Sequence, residues 1–579
     1  MIKRAILTLV VSCVSTLVVA KTITVTSTAD TFPEAAAGSL RAALAAAEDG
    51  DTITFDASLA GKTITTADSN TKSQDTSLVV DKAVTIVGPE GGITIDGGAV
   101  KNSNDVGSRI FLVPAGVQGE VVLRNLELVH GHARNWNSLG GAFIYGGAVC
   151  AYSPVWIDKC DIHDCYSRFQ PSGQGQIIAW GPVLYTETAV RITDTVIEDN
   201  MHVSGSYSYG GALLVNGGSL TMKNVVARRN TTGSWGGGLL FATADSALRL
   251  EDCQIEECSA NNDAGAIRII TKAGGNGADV DRVFKRCSFR RCFTTSGNGG
   301  AILCDENVSG RCIFDGCEFD DCNAGWGGAI RLNSPYGVFI NCTFRLCNGN
   351  EWGPALDLRG GASIVNCTFV GCFDTKNAND TSAAVFICGG YVNILNSVGA
   401  FNYYKALNDP AVDDDAHKYG GTRYIFNSVI NAAVWGARDT KTADFDCFKT
   451  PVFSGEIETI SSIRIRNVPQ SLARACDIPT WDPDPKGRYA SKVIGIVKDG
   501  LLDGTGWPVK VNADYTHICY SADGGVTWTD LYKNGTPDDS TLALIASDQR
   551  GVPYKNGIPP IGAATYAGAS SIGLIIVVR

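Results

Sequence analysis

Between residues 80 and 435, apolar and polar side chains alternate with a period of two, as in Ala329-Ile330-Arg331-Leu332 and Val338-Phe339-Ile340-Asn341-Cys342-Thr343-Phe344. Alternation of this kind predicts short, half-buried strands, and the 3.6-residue spacing of an amphipathic helix is missing from the stretch. Two marks recur along it. One is a Gly-Gly-Ala-like tripeptide opening a strand: GGAVC at Gly146, GPVLY at Gly181, GGALL at Gly210, GGGLL at Gly236, AGAIR at Ala264, GGAIL at Gly299, GGAIR at Gly327 and GPALD at Gly353. The other is a short strand ending in Cys165, Asn200, Asn230, Cys258, Cys292, Cys322, Cys347, Cys372 or Asn402, at intervals of 35, 30, 28, 34, 30, 25, 25 and 30 residues. The shortest interval is the basic unit; the longer ones carry inserted loops. A unit of 25 residues, with two or three strands and glycines at its corners, cannot bury its apolar face alone, but stacked copies can. Each strand then pairs with its counterpart one unit later. The pattern predicts an all-β, right-handed parallel β-helix over residues 79–435, roughly ten rungs spaced about 4.8 Å apart. A leucine-rich horseshoe is excluded, because no Leu-x-x-Leu-x-Leu series occurs.

Open ends of such a rod leave strand edges unpaired, and the segment before it reads as a cap over residues 21–78. GSLRAALAAAEDGDTITF, from Gly38 to Phe55, contains the clearest amphipathic helix in the chain, opened by Ser39 and closed near Gly50. Residues 1–20 read as an export signal: Lys3 and Arg4, an apolar run from Ala5 to Val19, and the small-residue site Val18-Val19-Ala20 before Lys21. Val10-Val11-Ser12-Cys13 also resembles a lipoprotein cleavage box. No later run is long enough to span a bilayer. Residues 436–579 lack both marks and form a β-rich C-terminal region, offered as a sorting or anchoring module.

Composition agrees with a turn-rich β protein: 66 Gly, 3 Met and 18% charged residues. A net charge of −11 without a basic run argues against nucleic acid as a partner. The cysteines need a separate argument. Stacking brings Cys253, Cys287, Cys317, Cys342 and Cys367 to one position on successive rungs, and Cys258, Cys292, Cys322, Cys347 and Cys372 to another. Zinc sites cluster their ligands locally, so no metal is expected, and no cofactor. Side chains on neighbouring rungs point in parallel rather than toward each other, which disfavours disulfides. The ladders are therefore read as free thiols acting as small interior fillers.

The residue before each glycine mark is Tyr145, Trp180, Tyr209, Trp235, Asp263, Asn298, Trp326 or Trp352. Aromatics at one register serve either as corner packing or as a stripe on which sugar rings lie, with Asp263 and Asn298 binding hydroxyls. Catalytic signatures are poorer. VWIDKCDIHD, from Val155 to Asp164, resembles a pectate-lyase segment, but Lys159 stands where that segment has histidine. His130-Gly131-His132 is reminiscent of a polygalacturonase motif, and Asp413-Asp414-Asp415 reads as a solvated turn.

The two marks together resemble the repeats of bacterial polymorphic outer membrane proteins, Gly-Gly-Ala-Ile alternating with Phe-x-x-Asn. GGAI stands at Gly299 and Gly327, and Phe-x-x-Asn becomes Phe-x-x-Cys at Phe289, Phe319, Phe344 and Phe369. The stretch from Gly38 to Phe55 is similar to the lead-in of exported bacterial right-handed β-helix proteins. In the tail, Ser521 to Trp528 matches the Asp-box turn motif, and Asp548 to Ala563 resembles the closing module of secreted β-helix proteins. The resemblance implies an extracellular or outer-membrane-associated protein, adhesive or carbohydrate-binding, with a polysaccharide or cell-surface glycan as partner. A polysaccharide lyase or glycoside hydrolase on the same scaffold is the alternative, and a structural surface-layer component a third. The sequence leaves the oligomeric state open. Autotransported relatives end in a membrane barrel of a few hundred residues, for which the tail is too short.

Overall fold

A computed structural model describes residues 20–67, 75–100, 107–136, 142–143, 145–168, 178–203, 208–271, 279–370, 372–374, 385–400, 403–404, 422–426, 429–430, 434–435, 439–440, 506–531, 539–549, 551–554 and 558–559. The signal-like start, Asn402, Asp413-Asp414-Asp415 and the final apolar run lie outside these residues.

The chain winds into a right-handed parallel β-helix. A full turn carries four strands rather than the two or three expected. One turn runs through Ile302–Cys304 on face 1, Arg311–Asp315 on face 2, Glu318–Asp320 on face 3 and Asn323–Trp326 on face 4. It then returns to face 1 at Ile330–Leu332. Among the described residues, faces 1 to 4 are sheets of 12, 15, 13 and 13 strands. Strands on successive rungs pair in parallel and in register, for example Phe289 with Phe319 and Phe319 with Phe344. Registered pairing places identical side chains above one another. Phe284, Phe314 and Phe339 stack from face 2, and Phe289, Phe319, Phe344 and Phe369 from face 3, with ring centroids 4.8–4.9 Å apart.

The cysteines occupy two of the four corners. Cys253, Cys287, Cys317, Cys342 and Cys367 follow Asp252, Arg286, Gly316, Asn341 and Asn366 at the turn from face 2 to face 3, all with φ between 49° and 67°. Cys258, Cys292, Cys322 and Cys347 follow Glu257, Arg291, Asp321 and Leu346 at the turn from face 3 to face 4, with φ between 47° and 54°. A left-handed residue at each corner reverses the chain and aims the next side chain inward. The thiols bond to strand carbonyls beside the corners, some of which also accept a rung-to-rung N–H, as the Ile340 carbonyl does from Gly316 at 2.8 Å. Cys342 Sγ lies 3.3 Å from the Ile340 carbonyl and 3.4 Å from that of Phe314 one rung back. Cys347 makes the matching contacts to Arg345 and Phe319 at 3.4 and 3.5 Å. Asn200 and Asn230 fill the second corner position and donate to Ile162 and Ile197 carbonyls. The cysteine is thus a polar partner as well as a filler. Burial pushes the Cys160 and Cys165 thiols up to about 12.

At the N-terminal end the helix spans Leu40–Ala46, capped by Ser39 Oγ accepting from the Ala42 N–H at 3.1 Å, and stops at Ala47, short of Gly50. It buries Leu40, Ala43 and Leu44 over the end of the coil. The strands around it, Thr22–Val25 and Thr52–Phe55, are the first two members of face 2, so coil pairing begins well before residue 79.

The C-terminal region includes a four-stranded antiparallel sheet of Val509–Asn512, Ile518–Tyr520, Thr529–Asp530 and Leu542–Leu544. It packs on the outside of face 2, where Ile313, Val338, Ile340, Val365 and Leu395 meet Val509, Tyr515, Ile518 and Leu531. Asn341, Asn366 and Asn396 seat it further: Asn366 bonds the Tyr554 hydroxyl at 3.2 Å, and Asn396 brackets the Trp507 backbone at 2.7 and 2.8 Å. The Asp-box stretch is a closed local turn. Asp523 accepts from Ser521, Val526 and Thr527, hydrogen bonds that hold its carboxyl well below the usual range.

Candidate functional site

The corner from face 4 to face 1 is made by paired glycines, as at Gly327-Gly328. Gly327 has φ of 63°, and a Cβ on Gly328 would stand 2.1 Å from the Pro354 carbonyl oxygen. Only glycine meets both demands. The sharp turn folds the end of face 4 back over the outer side of face 1. That outer side is a single register of Leu214, Phe241, Arg268, Leu303, Arg331, Asp357 and Phe386. These residues point away from the core, yet all are buried.

What covers them is the aromatic row. The Trp326 ring lies 4.5 Å from the Arg331 guanidinium and 5.1 Å from that of Arg359. Trp235 stands 5.8 Å from Arg268. Trp352 packs on Trp326 at 4.6 Å and on Phe386 at 5.1 Å, and Trp326 Nε1 donates to Glu351. Trp326 and Trp352 are half-buried, and Trp235 is 40% exposed. Further along, Tyr145 stacks on Tyr185 at 4.4 Å.

Under the indoles runs a chain of alternating charge. Arg268 bridges Asp263 at 2.9 Å and Asp305 at 2.8 Å. Asp357 lies between Arg331 at 3.2 Å and Arg359 at 3.6 Å. Burial raises the Asp305 and Asp357 carboxyls and lowers Arg331. The result is a seam with flat apolar rings at its surface and partly desolvated donors and acceptors beneath.

The residues predicted for the stripe divide on inspection. Tyr209 pairs with Trp235, Trp326 pairs with Trp352, and Asn298 bridges to Trp326. Trp180 is one residue out of line, since Ala179 pairs with Tyr209 and Trp180 with Gly210. Asp263 is out of line as well. Asn262 takes the position beside Trp235, while Asp263 turns at φ of 58° and reaches Arg268. The side chains of Trp180 and Tyr209 lie outside the described residues. Arg268, Arg331, Asp357 and Arg359 were not anticipated, although alternation in AIRI, AIRL and ALDL placed the first three on an outward face.

A second cluster sits on the outer side of face 3. Glu127 and Asp161 are paired neighbours on adjacent rungs. His163 contacts Glu127 at 3.1 Å through Nε2 and Asp164 at 3.0 Å through Nδ1. Burial raises Asp161, whereas a hydrogen bond from Thr94 and another from His163 lower Glu127. Nearby, His130 Nδ1 lies 3.0 Å from Asp96, His132 is buried, and Lys159 is a corner residue at φ of 53°.

No family model and no curated protein matches the chain. Among solved structures, a crystal structure of pectate lyase Pel9A aligns with 68% of this chain and 82% of its own, at 13% identity and a TM-score of 0.29. Among the described residues no helix is long and apolar enough to cross a membrane.

Proposed function

We propose that this chain is an exported cell-surface β-helix protein that binds polysaccharide or a cell-surface glycan along the seam between faces 4 and 1. The observation that carries the reading is the row of half-exposed indoles at Trp235, Trp326 and Trp352, backed at 4.5–5.8 Å by Arg331 and Arg268 and, for Trp352, by Phe386. A sugar ring offers an apolar face to an indole and hydroxyls to the charged groups beside it. Arginine behind Trp235 and Trp326, and Phe386 behind Trp352, fix the indoles before a ligand arrives, which lowers the ordering cost of binding. The test is a titration of neutral and acidic polysaccharides against intrinsic tryptophan fluorescence. Saturable quenching that Trp235→Ala and Trp326→Ala abolish is expected; quenching that both variants retain removes the seam as the site.

A catalytic reading has one specific support. Glu127 and Asp161 are neighbouring carboxylates whose environments push their proton affinities apart, as an acid and its partner require. Adjacent strands lie about 4.8 Å apart, near the separation of about 5 Å used by retaining glycosidases. Release of reducing ends by the wild type, and none by Asp161→Asn, would favour this reading over pure binding.

A further inference from the structure

Thiols in the two corner ladders stack from rung to rung. Cys304 and Cys312 meet differently. Cys304 ends a face-1 strand and Cys312 lies in the next face-2 strand of the same rung, both buried, with sulfurs 3.5 Å apart. The turn 305–310 joins them, exposed at Glu306 and Asn307. Their side chains approach each other across a corner rather than running in parallel.

Arg282 occupies the position one rung before Cys312. It is 0% exposed and the largest fully buried side chain of the chain's described residues. Nη1 donates to the Val280 and Ser309 carbonyls at 2.8 and 2.7 Å, and Nη2 donates to the Ala244 carbonyl. Nε has no acceptor. Carbonyls satisfy N–H groups but cancel no charge, and a lone cation inside a coil is costly. The nearest carboxylates are engaged elsewhere, Asp281 with Arg311 and Asp305 with Arg268. An arginine beside a thiol favours the thiolate.

We propose that Cys304 and Cys312 are a redox pair that, when the turn 305–310 over them opens, closes to a disulfide by exchange with a small-molecule or protein disulfide, with Arg282 stabilising the attacking Cys312 thiolate. The Cys312 sulfur attacks one sulfur of the oxidant and expels the other as a thiolate, which takes up the proton Cys312 released. Cys304 then loses its proton, and its sulfur displaces the second oxidant thiol from the mixed disulfide. Two protein thiols are oxidised and one external disulfide is reduced to two thiols. Cys312 is the lower of the two thiols, held down first by the Cys304 hydrogen bond and then by Arg282 against burial.

Arg311 lies between the two cysteines, so trypsin releases them in separate peptides, 292–311 and 312–331. The full chain is incubated in oxidised glutathione, denatured, alkylated without reductant, digested and weighed. The expected product is these two peptides joined through Cys304 and Cys312, two hydrogens lighter than their sum apart from the alkyl groups carried by Cys292, Cys317 and Cys322. Cys304→Ser and Cys312→Ser should each abolish it, and Arg282→Met should slow its formation at pH 7.5 at least tenfold. Full alkylation of both cysteines after oxidation overturns the proposal. Because Arg282→Met could fail to fold, the pH profile of the wild-type rate is a second measure. A rise centred below the ordinary thiol value of about 8.5 supports stabilisation of the Cys312 thiolate by Cys304 and Arg282 together, and a rise centred at or above it overturns that assignment.

Discussion

Leu346 stands at a corner with φ of 53°, between rungs that place Asp321 and, at the neighbouring corner, Asn341 in the same conformation. A branched apolar residue gains nothing there and strains its backbone, whereas Asn visits the left-handed region readily. Leu346→Asn should therefore raise stability by about 0.5–1 kcal/mol, read as a higher midpoint in denaturant. The cysteine after the Lys159 corner makes a pH-dependent contribution. Cys160 is pushed up to about 12 by burial, so in the folded chain it keeps its proton where the unfolded chain has lost it. Its stabilisation is complete below the unfolded value of about 8.5 and is lost as pH rises toward 12, at about 1.4 kcal/mol per pH unit. Thr195 fills the same corner one rung on and donates to the Thr193 carbonyl at 2.7 Å, so Cys160→Thr should fold and flatten the decline in stability between pH 9 and 11. Among the aromatics, Trp326 is neither core nor free surface. Trp326→Ala should cost about 2 kcal/mol, between the surface and core extremes, while the more exposed Trp235→Ala should cost under about 1 kcal/mol. Thermal unfolding of both separates these values, and a cost above about 4 kcal/mol for Trp326→Ala would make its role packing.

A strand of this coil is two to six residues long and holds its place through the copies above and below. The phenylalanine columns show how much one column carries. Phe319 is fully buried, stacks on Phe289 and Phe344 at 4.9 Å, and meets Phe314 edge-on at 5.9 Å. Phe319→Ala should cost about 3–5 kcal/mol, and calorimetry should show the loss as a broadened or divided transition, because rungs on either side keep their own contacts. Much of this element was legible: the Phe-x-x-Cys spacing at Phe289, Phe319, Phe344 and Phe369 places an inward Phe, an outward residue and a corner on each of those rungs. The left-handed residue before each cysteine was not, since Asp252, Glu257, Arg286 and Leu346 share no side-chain chemistry that announces φ above zero. The site was legible only by half. Counting back from glycine found Trp326 and Trp352, but it put Trp180 and Asp263 in line because sequence spacing ignores the irregularity where Trp235 pairs with Asn262. Arg331 and Asp357 were readable as outward, but their burial depends on face 4 folding over face 1, which no local pattern records.

At the scale of the molecule, face 2 changes character along its length. Its outward residues are Arg191, Thr221 and Arg249 in the middle rungs, then Ile313, Val338, Ile340, Val365 and Leu395 where the C-terminal sheet packs. A chain ending at residue 440 would leave that apolar strip open to water. It should self-associate in sedimentation while retaining the β circular dichroism of the full chain; a monomer of unchanged Tm would mean the C-terminal sheet contributes little. The docked sheet also ties together rungs that otherwise hold only their neighbours, and this bears on how the chain meets a mechanical load. A rung such as Cys317 to Cys342 stores 25 residues of chain in a rise of about 4.8 Å. Drawn out, those residues reach roughly 85 Å. Under tension from its N-terminal end, the rod should therefore pay out in rung-sized lengths and then stall at the rungs clasped through Asn341, Asn366 and Asn396. For a molecule fixed at a surface, that arrangement is a shock absorber with a built-in stop.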